Sequence, residues 1–183
     1  MNDTNALRIE IVQRQALTPA RYVQAVQLCE RAYDDDDDVV ALMGTFENAT
    51  HVLLIDSRDC LISHALWIER WLIHSNQRIR SAYVELVATD PDHQRQGHAS
   101  AVMRALGDAI VSFDIGALSP SDPAFYVRVG WELWRGQLLE QRQDGTIIRS
   151  PIDESMMILQ RRGGPELDLA GPLTAPWRDG DIW

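Results

Sequence analysis

The chain has 183 residues, of which 45% are hydrophobic and 24% charged, a composition typical of a folded globular protein and unlike that of a disordered one. Its formal net charge is -10 at pH 7, so its average surface repels phosphate backbones and we expect no nucleic-acid partner. It has no apolar stretch near the roughly 20 residues that span a bilayer and no basic, apolar signal peptide. We therefore expect a single domain over residues 1–183, cytoplasmic and without membrane contact.

The N-terminal part of the chain predicts a strand, a helix and an acidic loop. Residues 7–12 alternate in the period-two manner of a strand. Thr18 followed by Pro19 is a helix start with Thr18 as N-cap, and we expect this helix to run to about Ala32. Five consecutive aspartates at 34–38 repel one another and favour a solvated loop.

The middle of the chain predicts a meander of strands followed by a helix. Residues 51–55, 61–73 and 79–89 are strand-like, and turn-forming residues between them favour antiparallel pairing. A helical pattern of apolar residues then begins near Gly97 and continues to Ile110.

The C-terminal part predicts shorter elements and a docked tail. Residues 115–118 form a short apolar run, and Asp122 and Pro123 begin a second helix that ends at Gly130. Further strands are expected at 131–139 and 155–159. The tail, about 166–183, carries Trp177 and ends in Trp183. A disordered tail rarely ends in tryptophan, so we expect this one to pack on the rest of the domain.

Cysteine and histidine spacing predicts no metal site. Cys29 and Cys60 have no metal-ligand spacing, and we expect two buried thiols and no disulfide. His64, His93 and His98 likewise lack such spacing, so we expect them to be surface or hydrogen-bonded residues.

The strand, turn and helix over residues 83–106 form the segment most suggestive of a ligand site. A strand ends at Thr89, and a loop holding Gly97 and Ala99 opens a helix. Backbone amides at a helix N-terminus bind anions, and small residues let the backbone approach a diphosphate. A glycine at a helix start is also an ordinary capping residue, so the residues alone leave both interpretations open.

The full pattern resembles the acetyl-CoA signature of the GNAT superfamily of N-acetyltransferases. Gln94-x-x-Gly-x-Ala99 follows the strand and precedes an amphipathic helix, and the wider match includes residues 116–119 and 125–131. The resemblance implies an α/β (α+β) GNAT fold, in which a central mixed, mostly antiparallel sheet of about six or seven strands is flanked by helices. It also implies acetyl-CoA as cosubstrate, no metal, and a homodimer.

Further features resemble the aminoglycoside 2'-N-acetyltransferases. They are residues 83–85, Tyr126, residues 144–146 and the terminal Trp-Arg-x-Gly-Asp-x-Trp at 177–183, the most discriminating piece. This resemblance covers most of the chain from about Ser63 onward and the acidic loop. It implies N-acetylation of the 2'-amino group of an aminoglycoside antibiotic, a cationic amino sugar, with resistance as the outcome. A neighbouring branch that acts on a smaller aminoglycoside such as kasugamycin fits as well.

The resemblance also implies roles for individual residues. Glu85 is the implied base, acting through water, and Tyr126 the implied acid. The implied acetyl-CoA contacts are Leu86, Val87, Thr89, Gln94, Arg95, Gln96, Gly97, His98, Ala99 and Ser100. The implied aminoglycoside contacts are Asp34, Asp35, Glu85, Ser119, Asp144, Asp181 and Trp183.

Two departures from the family pattern concern the phosphate loop and the acceptor half. The loop is less basic than usual, and extra residues at about 149–167 fall where the family binds substrate. The acceptor could instead be a polyamine, a peptide or a protein amine, and a non-catalytic CoA-binding sensor is a further alternative. Glu85 could be an outward-facing glutamate and Tyr126 a core tyrosine, although their joint presence argues for catalysis.

Overall fold

Ten strands and four α-helices lie in the part of the chain that the computed structural model describes, residues 6–33, 37–151, 155–161, 163–178 and 182–183. In chain order the elements are β1 (Arg8–Gln13), α1 (Pro19–Ala32), α2 (Asp37–Thr45), β2 (Thr50–Ile55), β3 (Leu61–His74), β4 (Gln77–Thr89), α3 (His98–Ala109), β5 (Ile115–Leu118), α4 (Pro123–Arg128), β6 (Glu132–Leu133), β7 (Leu138–Gln141), β8 (Ile147–Arg149), β9 (Met157–Gln160) and β10 (Leu173–Ala175). These residues divide into two compact units, the chain up to Ile68 with Val84–Ala109, and Glu69–Tyr83 with the chain from Ile110 onward.

The first unit contains an antiparallel meander packed against helices. β2 pairs antiparallel with β3, as the sequence predicts, and β1 pairs antiparallel with β2. The predicted start of α1 is also confirmed, because the Thr18 side chain accepts a hydrogen bond from the Arg21 amide at 3.2 Å. The apolar core of this unit comprises Ala25, Leu28, Cys29, Val39, Met43, Phe46, Ala49, Leu53, Ile55, Leu61, Leu66, Leu86 and Ala88.

The second unit contains a mixed sheet with the strand order β6-β9-β5-β4-β3-β10-β7-β8. β4 pairs with β5 in parallel, as β10 does with β7, whereas β9 is antiparallel to both β5 and β6. This mixed, mostly antiparallel arrangement confirms the predicted fold class. The strand count exceeds the six or seven that the resemblance implies because short strands such as β6, β8 and β10 add to the sheet.

The predicted strand at 131–139 is wrong, because the chain forms two strands there. A Cβ on Gly136 would lie only 1.7 Å from the Gly171 carbonyl oxygen, so this glycine is in close backbone contact. The amides of Arg135 and Gly136 both donate to the Leu169 carbonyl. The chain therefore leaves β6, which pairs with β9, and continues as β7, which pairs with β10.

Three further expectations need correction. The aspartate run is not wholly a loop, because α2 begins at Asp37 and Asp38 lies in its first turn, where a carboxylate stabilises a helix N-terminus; residues 34–36 lie outside the described part. The strand predicted at 155–159 is Met157–Gln160. Of the two thiols expected to be buried, Cys29 is buried but Cys60 is exposed, and neither forms a disulfide.

Among the described helices, none combines the length and the apolar character of a transmembrane segment. The tail contains β10, which is antiparallel to β3 and parallel to β7.

Candidate active site

The C-terminal half of β4 has an unusual backbone. Leu86 has a φ of 50° inside the strand, a left-handed conformation that is rare for a non-glycine residue and typical of a β-bulge. The pairing of β4 with β5 covers Ser81, Ala82 and Tyr83 and ends before the bulge. A strand edge released in this way can hydrogen-bond an extended ligand. No sequence signal marks this bulge, since Leu86 lies in an ordinary apolar run.

Three side chains of the first unit hydrogen-bond to the backbone carbonyl groups of residues 86–88. His64 Nδ1 lies 3.0 Å from the Leu86 carbonyl oxygen, and the Tyr33 hydroxyl donates to the Val87 carbonyl at 3.1 Å. The Ser63 hydroxyl donates to the Ala88 carbonyl at 2.9 Å. The backbone of this segment is therefore fixed by α1 and β3.

Glu85 lies in the first unit, immediately before the bulge. Its side chain is half-buried, between Val84 at 3% exposure and Leu86 at 7%. This position differs from the fully exposed one that an outward-facing surface glutamate would have. The residue is not closed off from solvent, as proton transfer through water requires.

The loop before α3 has the backbone of an anion site. Arg95 and Gly97 both have left-handed backbones, with φ of 60° and 83°, and turns of mixed handedness gather amides into an anion-binding concavity. The Ala101 amide donates to the Gly97 carbonyl at 3.0 Å and closes the first turn of α3. The amides of residues 98–100 therefore belong to the open N-terminal turn of the helix, and residues 94–97 are exposed.

The charge of this loop is smaller than its composition suggests. Partial burial and then the neighbouring His93 lower the pKa of His98, which favours its neutral form. The two imidazole centroids are 6.4 Å apart, and His93 Nδ1 lies 3.3 Å from Asp90. Phosphate binding here would depend on backbone amides and on Arg95 rather than on a basic cluster.

Tyr126 lies in α4, in the second unit, and is 9% exposed. Its ring meets Phe125 and Trp131 edge to face, with centroids 4.9 and 6.2 Å apart. Burial and then the nearby Asp122 raise the pKa of Tyr126 to about 12. The phenol is thus protonated at neutral pH, as a general acid must be.

A cavity of about 760 Å³ lies in the second unit, a volume in the range of small-molecule sites. It brings Asp144, at the β7–β8 turn, together with the tail. Asp144 is exposed and accepts a hydrogen bond from the Thr146 amide at 2.8 Å, a bond that lowers the pKa of its carboxyl group. The lining residues are Arg142, Gln143, Asp144, Trp177, Arg178 and Ile182.

The tail is anchored to β3 and β4 by stacked cations. Arg70 donates to the Ile182 carbonyl at 2.6 Å, and its guanidinium lies 4.4 Å from the centre of the Tyr83 ring. Arg178 lies 5.7 Å from the same centre. The terminal Trp183 is 7% exposed. Sequence reasoning missed Arg70, since a lone arginine in a strand gives no signal of a contact with a tail residue.

The remaining predicted site residues are placed as follows. Ser119 is exposed directly after β5, and the extra segment at about 149–167 contributes β9 to the sheet. Asp34, Asp35 and Asp181 lie outside the described residues. The structure gathers the implied acetyl-CoA contacts and Glu85 in the first unit, and Tyr126, Ser119, Asp144 and Trp183 in the second. Among the described residues, no group of three or more His, Cys, Asp or Glu side chains is placed to hold a metal ion.

Comparison with known proteins identifies the family. The family model for the acetyltransferase (GNAT) domain matches residues 14–134, which include β4, the loop and α3. An aminoglycoside 2'-N-acetyltransferase from Mycolicibacterium fortuitum is 37% identical over 164 residues, covering 86% of this chain and 80% of that protein.

Solved structures share the fold at low sequence identity. A GNAT family N-acetyltransferase from Escherichia coli, solved in complex with CoA, has a TM-score of 0.67 at 15% identity, over 95% of this chain and 93% of that one. A probable N-acyltransferase from Enterococcus faecalis has a TM-score of 0.60 at 15% identity; 72% of this chain matches it but spans only 33% of its length. The chain belongs to the GNAT family of acetyltransferases, enzymes that use acetyl-CoA as the acetyl donor.

Proposed function

We propose that this acetyltransferase transfers the acetyl group of acetyl-CoA to the 2'-amino group of an aminoglycoside. The observation that carries this proposal is the 37% identity to an aminoglycoside 2'-N-acetyltransferase over 86% of the chain. The tail motif at residues 177–183, which singled out the same family, supports it. Two residues of that motif, Trp177 and Ile182, line the same cavity as Asp144, another residue that resembles the family.

Acetyl-CoA would bind along the C-terminal half of β4 and at the loop before α3. Leu86, Val87 and Thr89 would contact the pantetheine arm. The amides of residues 95–100 would bind the pyrophosphate, with flanking contacts from Gln94. The left-handed residues of the loop and the open first turn of α3 fit this diphosphate, because they supply donors that need no net positive charge. The acetyl thioester is what this cosubstrate supplies to the reaction.

Proton transfer would be divided between two residues. The amino groups of the acceptor are largely protonated at neutral pH, and Glu85 would take a proton from the 2'-ammonium group through water. A backbone amide near Val87 would stabilise the oxyanion that develops on the thioester carbonyl. Tyr126 would return a proton to the departing thiolate, and its raised pKa of about 12 keeps that proton available.

The acceptor would bind at the cavity beside the tail. Trp177 is 41% exposed there and offers a face for a sugar ring. In the described lining, two arginines, Arg142 and Arg178, accompany one aspartate. Most of the acceptor's ammonium groups would therefore pair with other carboxylates, those of Asp34, Asp35 and Asp181, with Ser119 and Trp183 as further contacts.

The wider biology follows from the same activity. Acetylation of the 2'-amino group removes a positive charge that the antibiotic presents to its target, so the enzyme would confer resistance in the cytoplasm. We also propose that the chain is one catalytic domain that forms a homodimer. A single species of monomer mass in sedimentation velocity at micromolar concentration would contradict the dimer.

Release of free CoA tests the function. The enzyme is incubated with acetyl-CoA and, in separate reactions, with kasugamycin, gentamicin, tobramycin, spermidine, a basic peptide or amikacin, an aminoglycoside with a hydroxyl group at position 2'. Turnover restricted to sugars with a 2'-amino group would support the proposal and identify the preferred branch. Turnover with only the polyamine or the peptide would contradict the aminoglycoside assignment and leave the family intact.

A further inference from the structure

Three buried polar side chains lie behind the bulge of β4 and have no role in the mechanism above. Cys29 of α1, His51 of β2 and His64 of β3 are at most 1% exposed. His64 contacts the carbonyl group of Leu86, the residue with the left-handed backbone, and both Cys29 and His51 contact His64. All belong to the first unit.

The hydrogen bonds of this group fix both imidazole tautomers. His64 Nδ1 lies 3.0 Å from the Leu86 carbonyl oxygen, and because a carbonyl oxygen can only accept, Nδ1 carries the proton. The Nε2 atom of neutral His64 is then an acceptor. It lies 2.9 Å from His51 Nδ1, which must therefore donate. The two rings form a directed chain of donors that ends on the β4 backbone.

The surroundings keep this chain neutral. Burial, then His64 and Arg14, lower the pKa of His51 to about 3, and burial lowers the pKa of His64 to about 4. Burial, followed by the charge of Glu30, raises the pKa of Cys29 to about 12, so its sulfur stays a thiol 3.6 Å from His64 Nδ1. Cys29, His51 and His64 therefore all keep their neutral forms near neutral pH.

If these residues served only to fill the core, this arrangement would cost more free energy than apolar side chains at the same positions. Among the described groups, His51 Nε2 is buried without a hydrogen-bond partner, a state that apolar side chains at these positions would avoid. The left-handed Leu86 adds strain that must be held by its surroundings. His64 links the two features, because one of its ring nitrogens contacts His51 and the other contacts the carbonyl group of Leu86, next to Glu85 and Val87 in the sequence.

We propose that His64 is a positioning residue for acetyl transfer. Its Nδ1–H holds the Leu86 carbonyl and so fixes the bulge that sets the backbone at Glu85 and Val87, while His51 fixes the tautomer of His64. This inference rests on the proposed role of β4 in binding acetyl-CoA. Leu86 itself would be the point where the buried histidines act on the site.

Paired substitutions separate this role from a contribution to stability. His64→Asn retains a donor near the position of Nδ1, whereas His64→Leu keeps the bulk but removes the donor. His74 provides the matched control, because it is also buried and its Nδ1 lies 2.9 Å from the Pro172 carbonyl, in the second unit. The readouts are the Kd for CoA by calorimetry, kcat, the KM for acetyl-CoA, and Tm.

We expect His64→Leu to weaken CoA binding about tenfold and to lower kcat, because one buried hydrogen bond no longer holds the strand. His64→Asn should recover most of both losses. His74→Leu should lower Tm and leave the Kd for CoA unchanged. An unchanged Kd and kcat in His64→Leu, with a Tm loss like that of His74→Leu, would overturn the proposal.

A spectroscopic measurement on the unsubstituted protein gives a second test. Proton–nitrogen NMR of ¹⁵N-histidine protein should show Nδ1–H tautomers for His51 and His64, protected from exchange. An Nε2–H tautomer at His64 would overturn the inference even if His64→Leu fails to fold. CoA binding is measured without any acceptor, so failure of the aminoglycoside assignment would appear separately, as absent turnover by a protein that binds CoA.

Discussion

The proposed acetyl-CoA half and the proposed acceptor half of this enzyme are assembled in different ways. The first is nearly continuous in sequence, since the C-terminal half of β4, the loop and the start of α3 fall within residues 84–100. The second draws on Arg70, Tyr83, Asp144 and the tail at 177–183, which are far apart in the chain. A short contiguous segment can be read as a motif, whereas a site made by tertiary contacts can be read only from a structure or a relative.

The two halves also handle charge differently. The acetyl-CoA half presents amides and left-handed turns, with Arg95 as its cation, which suits a polyanion in a protein of net charge -10. The acceptor half fixes its tail with cations on an aromatic ring, Arg70 and Arg178 on Tyr83. Substitutions in the two halves should therefore affect different kinetic constants.

The largest effect is expected from Glu85→Gln. Loss of a general base lowers rates by about 10² to 10⁴, so kcat/KM for the aminoglycoside should fall by at least about 10². The loss should shrink as pH rises, because more acceptor amine is then already deprotonated. Stopped-flow or CoA-release kinetics over pH measures this, with Glu47→Gln, an exposed glutamate, as control. Unchanged turnover would remove Glu85 from the mechanism.

Tyr126→Phe should lower kcat by about 10² while the KM for acetyl-CoA changes little. Because the pKa of Tyr126 is raised to about 12, the phenol does not titrate in the working range. The ratio of wild-type to variant kcat should then be constant from about pH 6 to about pH 9. Tyr22→Phe, whose ring stacks with Arg14 in the first unit, is the control. A variant with wild-type kcat would make Tyr126 a core residue only.

Gly97→Ala should affect only the acetyl-CoA half. Its φ of 83° disfavours any side chain, although no atom lies within 4 Å of the added Cβ. A strain of about 1–2 kcal/mol corresponds to roughly a tenfold higher Kd for CoA. Gly44→Ala, in α2 with equally open surroundings, should instead raise stability by about 0.5–1 kcal/mol. Equal CoA binding by both variants would contradict the phosphate role of the loop.

Arg70→Met should affect only the acceptor half, and its effect should be smaller than that of Gly97→Ala on the Kd for CoA. It removes the bond to the Ile182 carbonyl and the stacking on Tyr83, so the KM for the aminoglycoside should rise about fivefold. The KM for acetyl-CoA should not change. Arg78→Met, which removes a similar stacking on Trp71, is the matched control. A rise in the KM for acetyl-CoA instead would contradict the claim that substitutions in the two halves affect different kinetic constants.

Sequence reasoning recovered the elements with long periodic patterns and clear start signals. The Thr18 cap of α1 and the long strands β3 and β4 have such signals. It failed where long-range contacts decide the path of the chain, as at Gly136, whose contact with Gly171 splits one predicted strand into two. It also missed the two- and three-residue strands, because these are defined by their partners rather than by their own composition.

The same limit applies to the site. Glu85 and the loop at 94–99 carry a recognisable pattern. The left-handed backbone at Leu86 does not, because its carbonyl group contacts His64, more than twenty positions earlier in the chain. Arg70 is equally invisible, because its partner is the carbonyl group of a tail residue. Contacts between residues far apart in the sequence produce no local pattern of residue types from which they could be predicted.

The position of acetylation is the most direct test of the central claim. Kanamycin B carries an amino group at position 2' where kanamycin A carries a hydroxyl, and the two are otherwise the same. We expect CoA release with kanamycin B, a product whose acetyl group NMR places on the 2'-nitrogen, and no turnover of kanamycin A. Equal turnover of the two sugars, or acetylation at another nitrogen, would contradict it.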